Sequence, residues 1–316
     1  MASYDIIIIG GGPAGLTAGI YIARARLKGV ILEKMMPGGQ VMITTKVDNY
    51  PGFPEGIDGP ELMMRFERQV KNLGMEIKAP YEVKKIEIQG EKRLVYSDTE
   101  ILEARALIIA TGAKYRKLGV PGEKEFTGRG VSYCGTCDAL FFRDMDVAVV
   151  GGGDTALVEA LHLTKFARRV FIIHRRDELR AAKVLQEEAF KNDKIEFIWS
   201  SVVKEIKGEN SVQAVVLENR KNGQVSELKV EGCFIFVGMD PNSELVKDIV
   251  ELDERGYIVT DVYCRTSVKG IFAAGDVRNN VLKQISTAVG DGAIAAVSAE
   301  KYIAGHESRE DTQQTT

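Results

Sequence analysis

The residues with the clearest capacity for chemistry are Cys134 and Cys137, set in Tyr133-Cys134-Gly135-Thr136-Cys137-Asp138. Two thiols at C-x-x-C spacing can close a small ring at little chain cost, and one of them can take a lowered pKa. Asp138 follows directly, where a carboxylate can shuttle a proton during dithiol exchange. Zinc is the rival chemistry, but a structural zinc commonly needs two such pairs, or one pair plus histidines. The remaining cysteines, Cys233 and Cys264, are not paired by spacing, and the histidines are His162, His174 and His306. No metal site is read. Cys233 lies in an apolar run and reads as core. Cys264 is given no role.

Two glycine turns supply the second chemical signal. The first is Gly10-x-Gly12-Pro13-Ala14-Gly15, and the second is Gly151-x-Gly153-Asp154-Thr155-Ala156. Each follows an apolar run and precedes a helical pattern. Such turns let the backbone approach a pyrophosphate and offer it the N–H groups of a helix start. Glu33 lies 23 residues after Gly10, where its carboxylate can accept from ribose hydroxyls and would repel a 2′-phosphate. At the same offset after Gly151 stands His174-Arg175-Arg176, with Arg180 expected one helical turn further on. Arginines bind phosphate through fork-shaped, charge-assisted hydrogen bonds. The exchange of acid for base is what selection of NADPH over NADH requires. The bland alternative is a solvated helix face.

The elements that must position these residues repeat. YDIIII and DVAVV read as buried strands. Helices then run through Leu16, Ile20 and Ala23, and through Leu157, Ala160 and Leu161. Val30–Leu32 and Val170–Ile173 read as second parallel strands. Alternating segments follow each unit: 82–89 and 93–97 in the first, 214–220 and 225–230 in the second. Each half ends in a strand and a glycine turn, at 107–113 and 234–241. The expected fold is α/β, with two Rossmann-like βαβ nucleotide-binding domains, each three-layered with an antiparallel β-meander. The second is inserted into the first. Segments 116–122 and 238–242 read as linkers. Residues 271–277 and the helix 284–303 complete the first domain, and 305–316 read as a disordered tail.

Composition fits a globular chain of about two domains: 316 residues, 45% hydrophobic, 28% charged. A net charge of −3 argues against a broad nucleic-acid or anionic-membrane surface. No apolar run nears the roughly 20 residues needed to span a bilayer. Ile6–Ile9 is too short for a signal peptide and has no basic flank. Four cysteines are too few for a disulfide scaffold. A reducing cytoplasm is therefore expected.

The ordered set GGGPAGLTA (10–18), GGQ (38–40), DNYPGFP (48–54), ATGA (110–113), GRGVSYCGTCD (128–138), GGGDTA (151–156), HRRDELRA (174–181) and AAGDV (273–277) resembles low-molecular-weight thioredoxin reductase over about residues 1–304. The resemblance implies an FAD domain at 1–115 and 245–316 and an inserted NADPH domain at 116–244 that carries the cysteines. It implies FAD contacts from Gly39, Gln40, Asn49, Thr111, Gly112, Asp276 and Gln284, in addition to the first glycine turn and Glu33. It implies that electrons pass from NADPH through FAD to the cysteines and then to thioredoxin. Cys137 is then the thiol nearest the flavin, and Cys134 the one that attacks thioredoxin. A homodimer and a rotating NADPH domain, hinged at the two linkers, are also implied. The chain departs from the family at Ala139, where glycine is usual, at Lys283, where arginine is frequent, and at Asp154, where asparagine is common. None of these removes a reacting group. Alternatives kept open are a glutaredoxin-like or peroxiredoxin-linked acceptor served by the same chemistry, and a non-catalytic flavin redox sensor. The flavoprotein of alkyl hydroperoxide reductase carries an added N-terminal thioredoxin-like region, which is not expected with a first fingerprint at Gly10.

Overall fold

The computed structural model describes residues 2–44 and 47–305. The expected tail, apart from Gly305, lies outside them. The chain divides into two compact units, Met1–Lys114 with Asp240–Thr316, and Tyr115–Met239.

The first unit opens with β1 (Ala2–Ile9), α1 (Pro13–Arg24) and β2 (Gly29–Leu32). β1 pairs β2 in parallel, with Ile6 opposite Gly29 and Ile9 opposite Leu32. The run Ile6–Ile9 is buried on both faces, which a parallel sheet covered by helices demands. Pro13 starts α1, where a missing N–H costs nothing. Next come α2 (Gly59–Asn72), β3 (Glu76–Lys78), β4 (Lys85–Gln89), β5 (Lys92–Tyr96) and β6 (Ile101–Ile109). The α2 start is fixed by Asp58, whose carboxylate accepts the Glu61 N–H at 3.0 Å.

The meander of this unit is not a separate sheet. β4 and β5 extend the main sheet, in the order β3-β2-β1-β6-β5-β4. The long β6 serves two neighbours on one side. Its first half pairs β5 antiparallel, from Tyr96–Ile101 to Arg93–Ala104. Its second half pairs β17 (Ile271–Ala273) in parallel. The sheet therefore has seven strands, and α6 (Ile285–Ile303) packs with α1 on one face. The opposite face buries Tyr4, Ile7, Ile9, Leu107 and Ile271.

The second unit repeats the plan. β8 (Val131–Ser132) leads into the short helix α3 (Gly135–Asp138), followed by β9 (Asp146–Gly151), α4 (Asp154–Leu163), β10 (Arg169–Ile173), α5 (Lys183–Lys191) and β11 (Ile195–Ile198). With β15 (Gly232–Phe236) these strands form a five-stranded parallel sheet, β11-β10-β9-β15-β8. Here the meander does stand apart, as an antiparallel sheet of β12 (Ser201–Gly208), β13 (Val212–Asn219) and β14 (Val225–Lys229). One core lies under α4 and includes Leu157, Ala160 and Phe234. The other lies under the meander and includes Phe171, Ile206 and Cys233. The two chain crossings form a ribbon of β7 (Ala113–Tyr115) and β16 (Met239–Pro241). Among the described residues no helix is long and apolar enough to cross a membrane.

Candidate active site

In the first unit the expected nucleotide residues meet at the carboxyl ends of β1, β6 and β17. That edge is where open α/β sheets bind ligands. Ala110 N–H bonds Ile9 O and Ala274 N–H bonds Ile109 O, so three turns lie side by side. Gly10 has φ +109°, and a Cβ there would lie 2.3 Å from Ala110 O. A Cβ on Gly15 would lie 1.9 Å from Gly10 O. Both positions need glycine if the turn is to close against α1. Pro13 and Ala14 open the helix just behind.

Glu33 sits beside this turn. One carboxylate oxygen accepts the Gly11 N–H at 2.7 Å and the other the Met35 N–H at 3.0 Å. Lone pairs remain for hydroxyl donors. Gly39 lies against Gly12, and the Gln40 side-chain amide donates to Ala113 O. Asn49 Nδ2 donates to Gln284 Oε1 at 3.0 Å. Gln284 caps α6 in a reciprocal box with Thr287. Thr111 and Gly112 are held by Asn242, which donates to Thr111 O at 2.8 Å and to Gly112 O at 2.9 Å. A cavity of about 720 Å³ opens here, lined by Glu33, Met35, Tyr81, Val83, Thr111 and Asn242.

Asp276 carries the sharpest mark of a ligand-binding position. Its Oδ1 is buried and has no hydrogen-bond partner. Burial pushes its carboxyl up to about 6, with Asp291 adding to the shift and Lys283 opposing it. An unpaired buried acceptor is costly unless a donor arrives. The loop that carries it is anchored from below by Asp291. That carboxylate takes the Gly275 N–H at 3.1 Å, Arg278 Nη1 at 2.7 Å and Asn280 Nδ2 at 3.3 Å. Cys264 is part of this cluster. Its sulfur lies 3.4 Å from Arg278 Nη1 and 3.7 Å from Asp291 O, and burial pushes its thiol up to about 12. It is a packed, inert thiol with partners that its sequence context does not show.

In the second unit the turn Gly151–Asp154 faces the basic segment. Arg180 is not one helical turn beyond Arg176, because residues 175–182 are loop and α5 starts at Lys183. Hydrogen bonds to the glycine turn hold the loop instead. Arg180 N–H donates to Gly152 O at 2.7 Å, and Ala182 N–H to Asp154 Oδ1 at 2.7 Å. Thr155 follows in the first turn of α4. Arg175, Arg176 and Arg180 line an open cavity of about 430 Å³ with Ser200, Arg220 and Lys221. His174 stands apart from them. It is buried beneath the turn, where a Cβ on Gly152 would lie 2.3 Å from its Nδ1, and burial holds its pKa below the usual value.

Cys134 and Cys137 of this unit form a disulfide, with Cα atoms 5.3 Å apart. Cys134 caps α3, and its sulfur accepts the Cys137 N–H at 3.2 Å. Asp138 Oδ2 accepts from Ser132 Oγ at 2.6 Å, and the same hydroxyl accepts the Cys134 N–H at 3.1 Å. Tyr133 stacks on Tyr115 with ring centroids 5.2 Å apart. Its hydroxyl donates to Glu123, which is buried and also accepts the N–H groups of Leu118 and Gly119. Ser132, Glu123, Asn242 and Asp291 have no signal in the sequence, since no local pattern shows which polar residue will face a turn from another element.

Comparison with known proteins agrees with this architecture. Residues 4–292 match the family described as pyridine nucleotide-disulphide oxidoreductase. The chain is 52% identical over 306 residues to the thioredoxin reductase of Peptoclostridium litorale, covering 95% of this chain and 97% of that protein. It is 48% identical over 301 residues to that of Bacillus subtilis (strain 168), covering 95% of each. The crystal structure of thioredoxin reductase from Streptococcus pyogenes MGAS5005 superposes with a TM-score of 0.91 at 51% identity, over 96% of this chain and 99% of that one.

Proposed function

Because the chain belongs to the pyridine nucleotide-disulphide oxidoreductases, among the thioredoxin reductases, we propose that it is an NADPH-dependent flavoenzyme that reduces the disulfide of thioredoxin. The observation that carries this reading is the Cys134–Cys137 disulfide on the same unit as a glycine turn faced by three arginines. FAD, when bound, would supply the two-electron relay between nicotinamide and disulfide.

The first unit fits that group. Gly10, Gly12 and Gly15 with the start of α1 offer N–H groups to a pyrophosphate, and Glu33 offers acceptors to a ribose. Asp276 would take a hydroxyl donor at its unpaired Oδ1. Gly39, Gln40, Asn49, Thr111, Gly112 and Gln284 would complete the wall. In the second unit Gly151, Gly153, Asp154 and Thr155 would meet the pyrophosphate of NADPH. Arg175, Arg176 and Arg180 would bind its 2′-phosphate, and His174 would hold the turn from beneath.

Overall, the NADPH hydride and one proton become the two hydrogens of the Cys134–Cys137 dithiol. Cys134, as thiolate, then attacks the thioredoxin disulfide, and one thioredoxin sulfur leaves as thiol. Cys137 attacks the mixed disulfide, the Cys134–Cys137 bond re-forms, and the second thioredoxin sulfur departs. Asp138, oriented by Ser132, would carry the proton between the pair and solvent. We further propose a cytoplasmic homodimer. Exposed apolar residues on the first unit, among them Val262, Val281 and Leu282, are consistent with a covered surface.

The test is reduction of a disulfide dye by the purified holoenzyme with NADPH and thioredoxin. Dye reduction dependent on thioredoxin is expected. Rates equal to the thioredoxin-free control would overturn the reading.

A further inference from the structure

Glu159 is the acidic residue nearest the disulfide that the mechanism leaves unused. It lies on α4, one turn beyond the glycine turn, and α3 packs against that stretch of helix. Its Oε2 accepts the Thr136 N–H at 2.8 Å. The Thr136 hydroxyl lies 3.3 Å from both carboxylate oxygens. A Cβ on Gly135 would lie 2.3 Å from Oε2, so only glycine leaves room for this seat. The carboxylate is therefore fitted into the two residues between the cysteines. Consecutive Cα atoms are about 3.8 Å apart, which puts the charge within several ångström of both sulfurs.

We propose that Glu159 is a positioning residue that sets the acidity of Cys134. Opposed influences act on that sulfur. The Cys137 N–H points at it and favours the thiolate. Glu159 occupies the Thr136 N–H and brings a negative charge beneath the pair, which disfavours the thiolate. Further titratable groups here are Asp138 on α3, Tyr133 just ahead of Cys134, and His162 on α4, which acts on Glu159, and the polar Ser132 comes from β8. Burial raises the Glu159 carboxyl above the usual carboxylate range, while the Thr136 hydrogen bonds and His162 pull it back.

The consequence is chemical. Reduction of the disulfide takes two electrons and two protons and yields the dithiol. Only the deprotonated sulfur attacks a substrate disulfide, its proton passing to solvent. A thiol of lower pKa is more ionised but less nucleophilic and a better leaving group. Glu159 keeps Cys134 from becoming a persistent thiolate. The dithiol then stays reducing and does not turn into a stable end state.

The inference rests on the pair being the redox centre proposed above, and its test separates the two. The holoenzyme is reduced with NADPH and alkylated with iodoacetamide across a pH series, and modification of Cys134 is followed by peptide mapping. Glu159→Gln keeps an acceptor for the Thr136 N–H and removes the charge. Its Cys134 profile is expected to shift down by about half to one pH unit, with alkylation on the acid limb about three- to tenfold faster. A purely structural role predicts a profile that coincides with wild type, and that result would overturn the inference. Gly135→Ala provides a second route, because it displaces the carboxylate without deleting it. It should also shift the profile down, and Glu159→Ala should relieve its strain in the double variant. Failure of NADPH to bleach the wild-type flavin would instead refute the underlying redox reading.

Discussion

Asp291→Asn is a sharp perturbation of the scaffold beneath the proposed flavin site. The Asp291 carboxylate receives three donors, from Gly275 N, Arg278 Nη1 and Asn280 Nδ2. The Arg278 and Asp291 side chains are only 13% and 12% exposed. Asparagine preserves the volume but turns one acceptor into a donor, aimed at groups that are themselves donors. It also leaves Arg278 enclosed without its counter-charge. Removing one partner of such a pair costs about 3–5 kcal/mol. For a domain of this size each kcal/mol moves the midpoint by about 2–4 °C, so the first unit should melt roughly 6–20 °C lower. The assay is thermal unfolding followed by circular dichroism and by release of flavin fluorescence. Flavin should leave early, because Gly275 and Asp276 lose their anchor. Replacing both partners by apolar residues (Asp291→Leu with Arg278→Met) should recover much of the loss, since the cost lies in the orphaned charge. A midpoint within about 2 °C of wild type would refute the reasoning, as would a double variant less stable than the single one.

Two further outcomes follow from the same geometry. Asp276 has its folded pKa raised by burial to about 6. Between about pH 4 and 6 the folded apoprotein holds a proton that the unfolded chain has released, so apoprotein stability should fall as pH rises through that window. Asp276→Asn should abolish this slope and stabilise the apoprotein at neutral pH by about 3 kcal/mol while weakening flavin binding, as measured by denaturant unfolding and flavin titration; an unchanged slope would show that another group carries it. Arg175→Ala and Arg180→Ala should each raise the KM for NADPH by about tenfold or more and leave that for NADH unchanged, the loss expected for one charge-assisted hydrogen bond; equal effects on both nucleotides would contradict the assignment of the pocket.

Much of the fold was legible because its signals are local. Buried isoleucine and valine runs ending in glycine turns announce parallel strands and helix starts, and both βαβ units lie where those runs place them. The family likewise could be read from the order of short motifs. What escaped is tertiary. Nothing in residues 101–109 tells that β6 will pair β5 with one half and β17 with the other, and so draw one meander into the main sheet. Asp58, with Glu61 three residues later, is a local start signal for α2. The helical phase expected for Arg180 is overridden by the Gly152 carbonyl, which accepts its N–H. His174 and Arg175 are neighbours in sequence, but strand alternation and a turn send one inward and the other out. Glu159, Glu123 and Asp291 act on residues ten or more positions away (Asp291 on Gly275, Glu159 on Thr136, Glu123 on Tyr133), and such pairings exist only once the elements pack.

The central claim is that electrons from NADPH reach both a flavin and the Cys134–Cys137 disulfide. Anaerobic titration of the holoenzyme with NADPH tests it most directly, with the flavin absorbance and free thiols followed together. The account predicts that the wild-type protein takes up about two equivalents and gains two thiols, while Cys134→Ser with Cys137→Ser takes up about one. Full flavin bleaching at one equivalent in both proteins, with no thiols gained, would contradict it.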